Sequence, residues 1–188
     1  MLTRDRFDIV VVGGGPAGAT AATELARDGL SVMLLDKDGR IKPCGGAVPP
    51  RLIRDFEIPD SQIVARINSA RIISPSGREV DMPVGKGYVG MVDREHFDEW
   101  LRERATSAGA ERRSGSFDSI EQETDGDVTV VYQEKIDGKL GEFRRVKARA
   151  VVGADGARSV VAEKTMRNAE RVPCVFAYHE IVKSPEKG

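Results

Sequence analysis

Gly13, Gly15 and Gly18 stand at the spacing G-x-G-x-x-G, directly after Ile9-Val10-Val11-Val12 and at the head of Pro16-Ala17-Gly18-Ala19-Thr20-Ala21-Ala22. The chemistry of such a pattern is anion binding by backbone. Gly13 lets the chain turn sharply, Gly15 lets N–H groups approach a pyrophosphate, and Gly18 lets a helix pack closely on the strand. Pro16 and Ala17 open that helix, whose free N–H groups and dipole favour a phosphate. Asp36 lies eighteen positions after Gly18, where an acidic residue accepts a hydrogen bond from a ribose of a dinucleotide. Lys37 follows it. Taken alone, the stretch leaves NAD and FAD equally open, and a βαβ unit that binds nothing is the bland alternative.

Three further places could carry chemistry. Cys44-Gly45-Gly46 sits in a loop from Lys37 to Pro50 that leaves the end of the second strand, the edge where doubly wound sheets bind ligands. Cys44 is either a small packing residue or part of a reaction pocket. Arg94 follows Asp93 at the start of a helix, where a cation gains nothing from the dipole; a phosphate or carboxylate partner would explain it, and so would plain solvation. Asp155-Gly156, within Gly153-Ala154-Asp155-Gly156-Ala157-Arg158-Ser159, is an ordinary turn or, at the end of a parallel strand, a second loop facing the nucleotide. His179 reads as structural, since nothing near it in sequence forms a triad or a metal set.

The elements that must position these residues follow from periodicity. Four β-branched residues, 9–12, predict a strand covered on both faces. A helix follows over about 16–27, with Ala17, Ala21, Ala22, Leu25 and Ala26 as its apolar face and Gly29 at its C-terminal end. A second parallel strand spans 31–35, reached by a right-handed crossover. A short helix is expected over 51–56. Residues 70–74 and 78–82 flank Pro75-Ser76-Gly77 and predict an antiparallel hairpin. A strand covers 87–92. Asp93 caps a helix over about 94–108, whose buried face is Phe97, Trp100, Leu101 and Ala105. Strands 114–121, 128–133 and 143–147 follow, with Asp137-Gly138 as a hairpin turn. Residues 148–152 form a strand before the second glycine loop, Ser159 caps the helix after it, and 174–182 is one more strand.

The chain has 188 residues, enough for a real core, and 29 Lys plus Arg against 30 Asp plus Glu. That balance gives no general electrostatic reason to bind nucleic acid. Two distant cysteines, Cys44 and Cys174, make neither a disulfide framework nor a zinc pattern. A reducing, cytoplasmic setting is the default. No apolar run approaches a membrane span.

Three motifs together resemble the para-hydroxybenzoate hydroxylase-like FAD-dependent oxidoreductases. They are Gly13-x-Gly15-x-x-Gly18 with Asp36, Asp93-Arg94-x-x-Phe97-Asp98-x-x-Leu101, and Gly153 to Ser159. Within that superfamily, Lys42-Pro43-Cys44-Gly45-Gly46-Ala47-Val48-Pro49 resembles the geranylgeranyl reductases of the chlorophyll and bacteriochlorophyll branch. Phe56-Glu57-Ile58-Pro59 and Ile73-Ser74-Pro75-Ser76 fit the same branch.

The resemblance implies an α/β fold: a Rossmann-like FAD/NAD(P)-binding parallel sheet with helices, carrying an inserted, incomplete antiparallel sheet over about 66–86 and 118–147. It implies that 1–188 is an N-terminal FAD-binding domain, that 171–188 begins a truncated substrate domain, and that the whole chain is about twice as long. Gly13, Gly15, Pro16, Ala17 and Gly18 would hold the FAD pyrophosphate, and Asp36 and Lys37 would lie at the adenosine ribose. Arg94 would reach the cofactor's phosphates. Asp155 and Gly156 would lie near the cofactor and the nicotinamide donor's approach. Cys44, Gly45 and Gly46 would lie by the isoalloxazine and the isoprenoid tunnel, with Cys44 a candidate catalytic residue by position. The implied activity is FAD-dependent, NADPH-linked reduction of double bonds in a geranylgeranyl chain, free as the diphosphate or esterified to a tetrapyrrole. Peripheral contact with a photosynthetic membrane is compatible with such a substrate. An FAD/NADPH aromatic monooxygenase and a non-catalytic nucleotide-binding module are the alternative readings.

Overall fold

The computed structural model describes residues 5–37, 44–85 and 87–175. Lys42 and Pro43 of the cysteine loop, His179 and most of the 174–182 strand expectation lie outside the described residues. The elements fall into two compact units. One contains the described residues up to Lys37 together with Asp98–Val175; the other contains those from Cys44 to Phe97.

In the first unit, β1 (Arg6–Val12) is followed by α1 (Pro16–Arg27) and β2 (Val32–Asp36). β8 (Glu111–Gln122), β9 (Val128–Ile136), β10 (Lys139–Gly153) and α4 (Val160–Thr165) come later in the chain. Strand pairing closes into a ring in the order β1-β10-β9-β8-β2. Two long strands make this possible. β8 runs parallel to β2 over Glu111–Ser114, then antiparallel to β9 over Gly115–Gln122. β10 runs antiparallel to β9 over Lys139–Ala148 and parallel to β1 over Lys147–Gly153.

The parallel layer and the antiparallel meander are therefore continuous. The sequence suggests two strands at 143–147 and 148–152, but one 15-residue strand spans both. Nothing between them breaks the ladder, and Val146 and Ala148 are both buried.

The core of this unit lies between the two layers. Val10, Val12, Met33 and Leu35 from the parallel strands meet Phe117, Val130, Tyr132 and Val146 from the meander, with Val161 of α4 beside them. Val11, Val32 and Leu34 are buried as well. This two-sided burial accounts for the unbroken apolar run in β1. The buried residues of α1 are Gly18, Ala19, Ala22 and Thr23, while Ala17 is exposed. The expected apolar face is thus rotated by about one position. Thr23 can be buried because its Oγ1 donates to the Ala19 carbonyl at 2.8 Å.

In the second unit, β3 (Ala47–Val48) and β4 (Ala65–Ile67) flank β7 (Val89–Met91), both antiparallel to it. α2 (Pro50–Asp55) lies between β3 and β4 in the chain. β5 (Ser69–Ile73) and β6 (Glu79–Pro83) form the expected hairpin, as a two-stranded sheet of their own. Neither β3 nor β4 is long enough to show a period, so neither is visible in the sequence. α3 (Arg94–Ser107) carries the chain from this unit into the first.

Candidate dinucleotide-binding site

The site is built where β1 ends. Gly13 has φ +105°, in the left-handed region. A Cβ there would lie 2.4 Å from the Ala154 carbonyl oxygen. Gly13 N–H donates to the Leu35 carbonyl, and Ala154 N–H donates to the Val12 carbonyl, both at 2.8 Å. The two glycine loops read from the sequence therefore share one strand end.

Gly18 is the tightest position. A Cβ on it would lie 1.8 Å from the Gly13 carbonyl oxygen, so α1 approaches the turn as closely as backbone allows. Gly15 is the N-cap of α1, Pro16 is its first residue, and no side chain caps the helix. Its first turn holds no acidic residue. This end of a 12-residue helix is electrostatically open to an anion.

Asp36 ends β2 against the same loop. Its Oδ1 accepts from Gly14 N–H at 3.1 Å, and its Oδ2 lies 3.3 Å from an Arg102 terminal nitrogen. The same nitrogen donates to the Gly14 carbonyl at 3.1 Å, and Arg102 Nε donates to Glu99 Oε2 at 2.9 Å. Glu99 also accepts from Arg112. The Arg112 guanidinium holds the Glu99 carboxylate below its ordinary range against partial burial, and Arg102 adds to the effect. The exposed Lys37 presents its carbonyl to Lys135 Nζ at 2.8 Å.

Asp155 has a different employment. Its Oδ1 accepts from Ser159 Oγ, and its Oδ2 accepts from Val160 N–H at 2.7 Å and Val161 N–H at 3.3 Å. Ser159 Oγ in turn accepts from Ala162 N–H at 3.0 Å, the cap read from the sequence. The Asp155 carboxylate fixes the turn into α4. Gly156 has φ +97° beside it.

Cys44, Gly45, Gly46 and Arg94 belong to the second unit. Cys44 is exposed. Gly46 has φ +71°, and a Cβ there would lie 2.1 Å from the Val92 carbonyl oxygen. Its own carbonyl accepts from Val92 N–H at 2.9 Å. Arg94 is the half-buried first residue of α3, and Asp93 Oδ1 caps that helix by accepting from Glu95 N–H at 3.0 Å.

The sequence reading missed Arg102, Glu99 and Arg112. A signal existed: an acidic residue at a strand end, half-buried by a tight turn, needs a cation. Glu99 and Arg102 also stand three apart, on one face of a helix.

The donor set fits a dinucleotide. It combines an uncapped helix N-terminus, two backbone approaches that no Cβ could enter, and a carboxylate at the end of the second strand.

Comparison with known proteins decides the kind. The geranylgeranyl diphosphate reductase of Rhodobacter capsulatus is 58% identical over 96% of this chain. The chain belongs to the lycopene cyclase protein family, whose model matches residues 8–175, and it resembles the geranylgeranyl reductases. The chloroplastic geranylgeranyl diphosphate reductase of Oryza sativa subsp. japonica is 38% identical over 96% of the chain. Among solved structures, a geranylgeranyl bacteriochlorophyll reductase-like protein from Thermoplasma acidophilum superposes with a TM-score of 0.70 at 26% identity, covering 88% of this chain and 43% of that one. The fold of this chain is mixed α/β. The chain spans 44% of the Rhodobacter relative and 41% of the Oryza relative, less than half of each.

Proposed function

We propose that the chain is the FAD-binding portion of a reductase that saturates isolated double bonds of a geranylgeranyl chain, carried as the free diphosphate or esterified to (bacterio)chlorophyll. The observation that carries this reading is the 58% identity to a geranylgeranyl diphosphate reductase across nearly the whole chain. Aromatic hydroxylation is less supported: an aromatic hydroxylase of the same fold, CabE, shares 26% identity.

When bound, FAD would supply hydride chemistry toward one alkene carbon, with NADPH as its reductant and a proton added at the neighbouring carbon. The work of the chain is binding and orientation. The first turn of α1, from Gly15 through Pro16, Ala17 and Gly18, offers N–H groups to the pyrophosphate. Asp36 accepts from an adenosine ribose hydroxyl, with Lys37 at the same edge. Asp155 and Gly156 hold the second loop against Gly13. Roles for the second unit come from family resemblance alone: Arg94 toward phosphate, Gly45 and Gly46 along the isoprenoid path, and Cys44 as a candidate proton donor. Among the described residues no helix is long and apolar enough to cross a membrane, and a prenylated tetrapyrrole would be met by peripheral contact with the membrane that holds it.

The test is catalytic. The protein, reconstituted with FAD and reduced by NADPH or dithionite, is incubated with geranylgeranyl diphosphate and with geranylgeranylated bacteriochlorophyll. Mass spectrometry should show stepwise gain of hydrogen pairs in one of them. NADPH oxidation coupled to oxygen uptake on a phenol, with neither prenyl substrate reduced, would overturn the reading.

A further inference from the structure

Arg102 ties α3 to the glycine loop. Its side chain is only 13% exposed, and that of Asp36 is 19% exposed. One guanidinium reaches three groups: Asp36 Oδ2 at 3.3 Å, the Gly14 carbonyl at 3.1 Å and Glu99 Oε2 at 2.8 Å. With Gly14 N–H on Oδ1, both oxygens of Asp36 are pinned. A Cβ on Gly14 would lie 2.6 Å from Asp36 Cγ, so the carboxylate fills the space that any side chain there would need.

A carboxylate offers about four acceptor positions, so two remain for a ligand. Removing the cation would leave a mostly buried carboxylate uncompensated, and it would turn toward water.

We propose that Arg102 is a positioning residue for the adenosine half of the dinucleotide: by gripping Asp36 and the Gly14 carbonyl together, it aims the Asp36 carboxylate at a ribose hydroxyl. The inference rests on the FAD reading above. Asp36 has a shorter arm than glutamate, and a fixed carboxylate loses less freedom on meeting the ribose than a mobile one does. Glu99 and Arg112 extend the grip. The four side chains Asp36, Glu99, Arg102 and Arg112 sum to zero charge, so the cluster fixes geometry without drawing phosphate to itself.

The test uses the whole chain, with FAD, ADP and 2′-deoxy-ADP titrated by calorimetry onto wild type, Arg102→Met and Arg102→Lys, and a thermal melt of each. Wild type should prefer ADP over 2′-deoxy-ADP by about tenfold, the scale of a hydrogen bond to a charged group. R102M should lose about tenfold in ADP affinity and bind both nucleotides equally. R102K keeps the charge but not the fork and should fall between. A merely structural arginine would weaken both nucleotides and leave their ratio intact. If R102M does not fold, R102K decides: a reduced preference supports the inference, and a full one overturns it. Wild type that binds FAD without discriminating the two nucleotides overturns this inference alone. Wild type that binds neither FAD nor ADP overturns the cofactor reading and this inference with it.

Discussion

Gly18 stands so close to Gly13 that a Cβ on it would lie 1.8 Å from the Gly13 carbonyl oxygen. That contact sets how near α1 comes to the strand end, and so where its N–H groups point.

Two effects of Gly18→Ala oppose each other. Helix propensity alone favours alanine by about 1 kcal/mol. Forcing a methyl into a filled space costs about 1–3 kcal/mol, and here the obstacle is backbone. The contact should win. We expect a lower melting temperature and at least tenfold weaker FAD binding, read by thermal denaturation and by flavin fluorescence titration. An unchanged or raised melting temperature with full FAD affinity would show that the loop gives way freely.

Ser159→Ala removes the hydroxyl that accepts from Ala162 N–H and donates to Asp155. Loss of such a cap costs about 1 kcal/mol, or about 2–4 °C in melting temperature for a chain of this size. Ser159→Thr should recover most of it. Both are read by thermal denaturation.

Asp8 ties β1 to the start of β2. Its carboxylate accepts from Ser31 Oγ at 2.7 Å, from Ser31 N–H at 2.9 Å and from Arg149 at 3.1 Å. These bonds, the Ser31 hydroxyl first, lower its pKa from 3.8 to about 2. A carboxyl depressed in the folded state stabilises above its unfolded value and loses that contribution as pH falls through the folded one. Asp8→Asn should therefore melt lower than wild type at neutral pH, with the gap closing between about pH 4 and about pH 2. A gap that stays constant over that range would contradict the assignment.

The β5–β6 hairpin exposes apolar side chains. Ile72 faces Val80 and Ala70 faces Met82 across the strands, and all ten residues of the two strands are exposed. Paired side chains on one face of a two-stranded sheet, left open to water, favour self-association. Replacing Ile72 and Val80 together by Thr should reduce light scattering at high concentration while leaving the melting temperature within about 1–2 °C, since exposed sites contribute little to stability.

Much of the first unit was legible in the sequence because its signals are local. The apolar run Ile9 to Val12, the glycine spacing and Pro16 mark the C-terminal end of β1 and the start of α1, although β1 begins earlier, at Arg6, and Asp137-Gly138 marks its turn. The chemistry carried by backbone was legible for the same reason. What escaped was set by partners distant in sequence. β4 is three residues long and pairs with β7, across the whole β5–β6 hairpin. The union of 143–147 with 148–152 depends on β1 continuing the ladder that β9 began. Arg102 looked like any surface arginine of a charged helix, and only the folded chain brings it to Asp36, 66 positions earlier. The buried face of α1 was misplaced because Thr23 and Gly18 do not score as apolar, though one satisfies its hydroxyl internally and the other is needed for its size.

The loop between Gly13 and Gly18 is the proposed FAD-binding element. The most direct measurement is titration of the purified chain with FAD, followed by desalting and an absorption spectrum, with Gly13→Ala alongside. Wild type should retain a yellow complex with a perturbed flavin band, and the variant should lose it, because a Cβ there would meet the Ala154 carbonyl. A wild-type chain that stays colourless after desalting, or a Gly13→Ala chain that retains FAD as well as wild type does, would contradict that role.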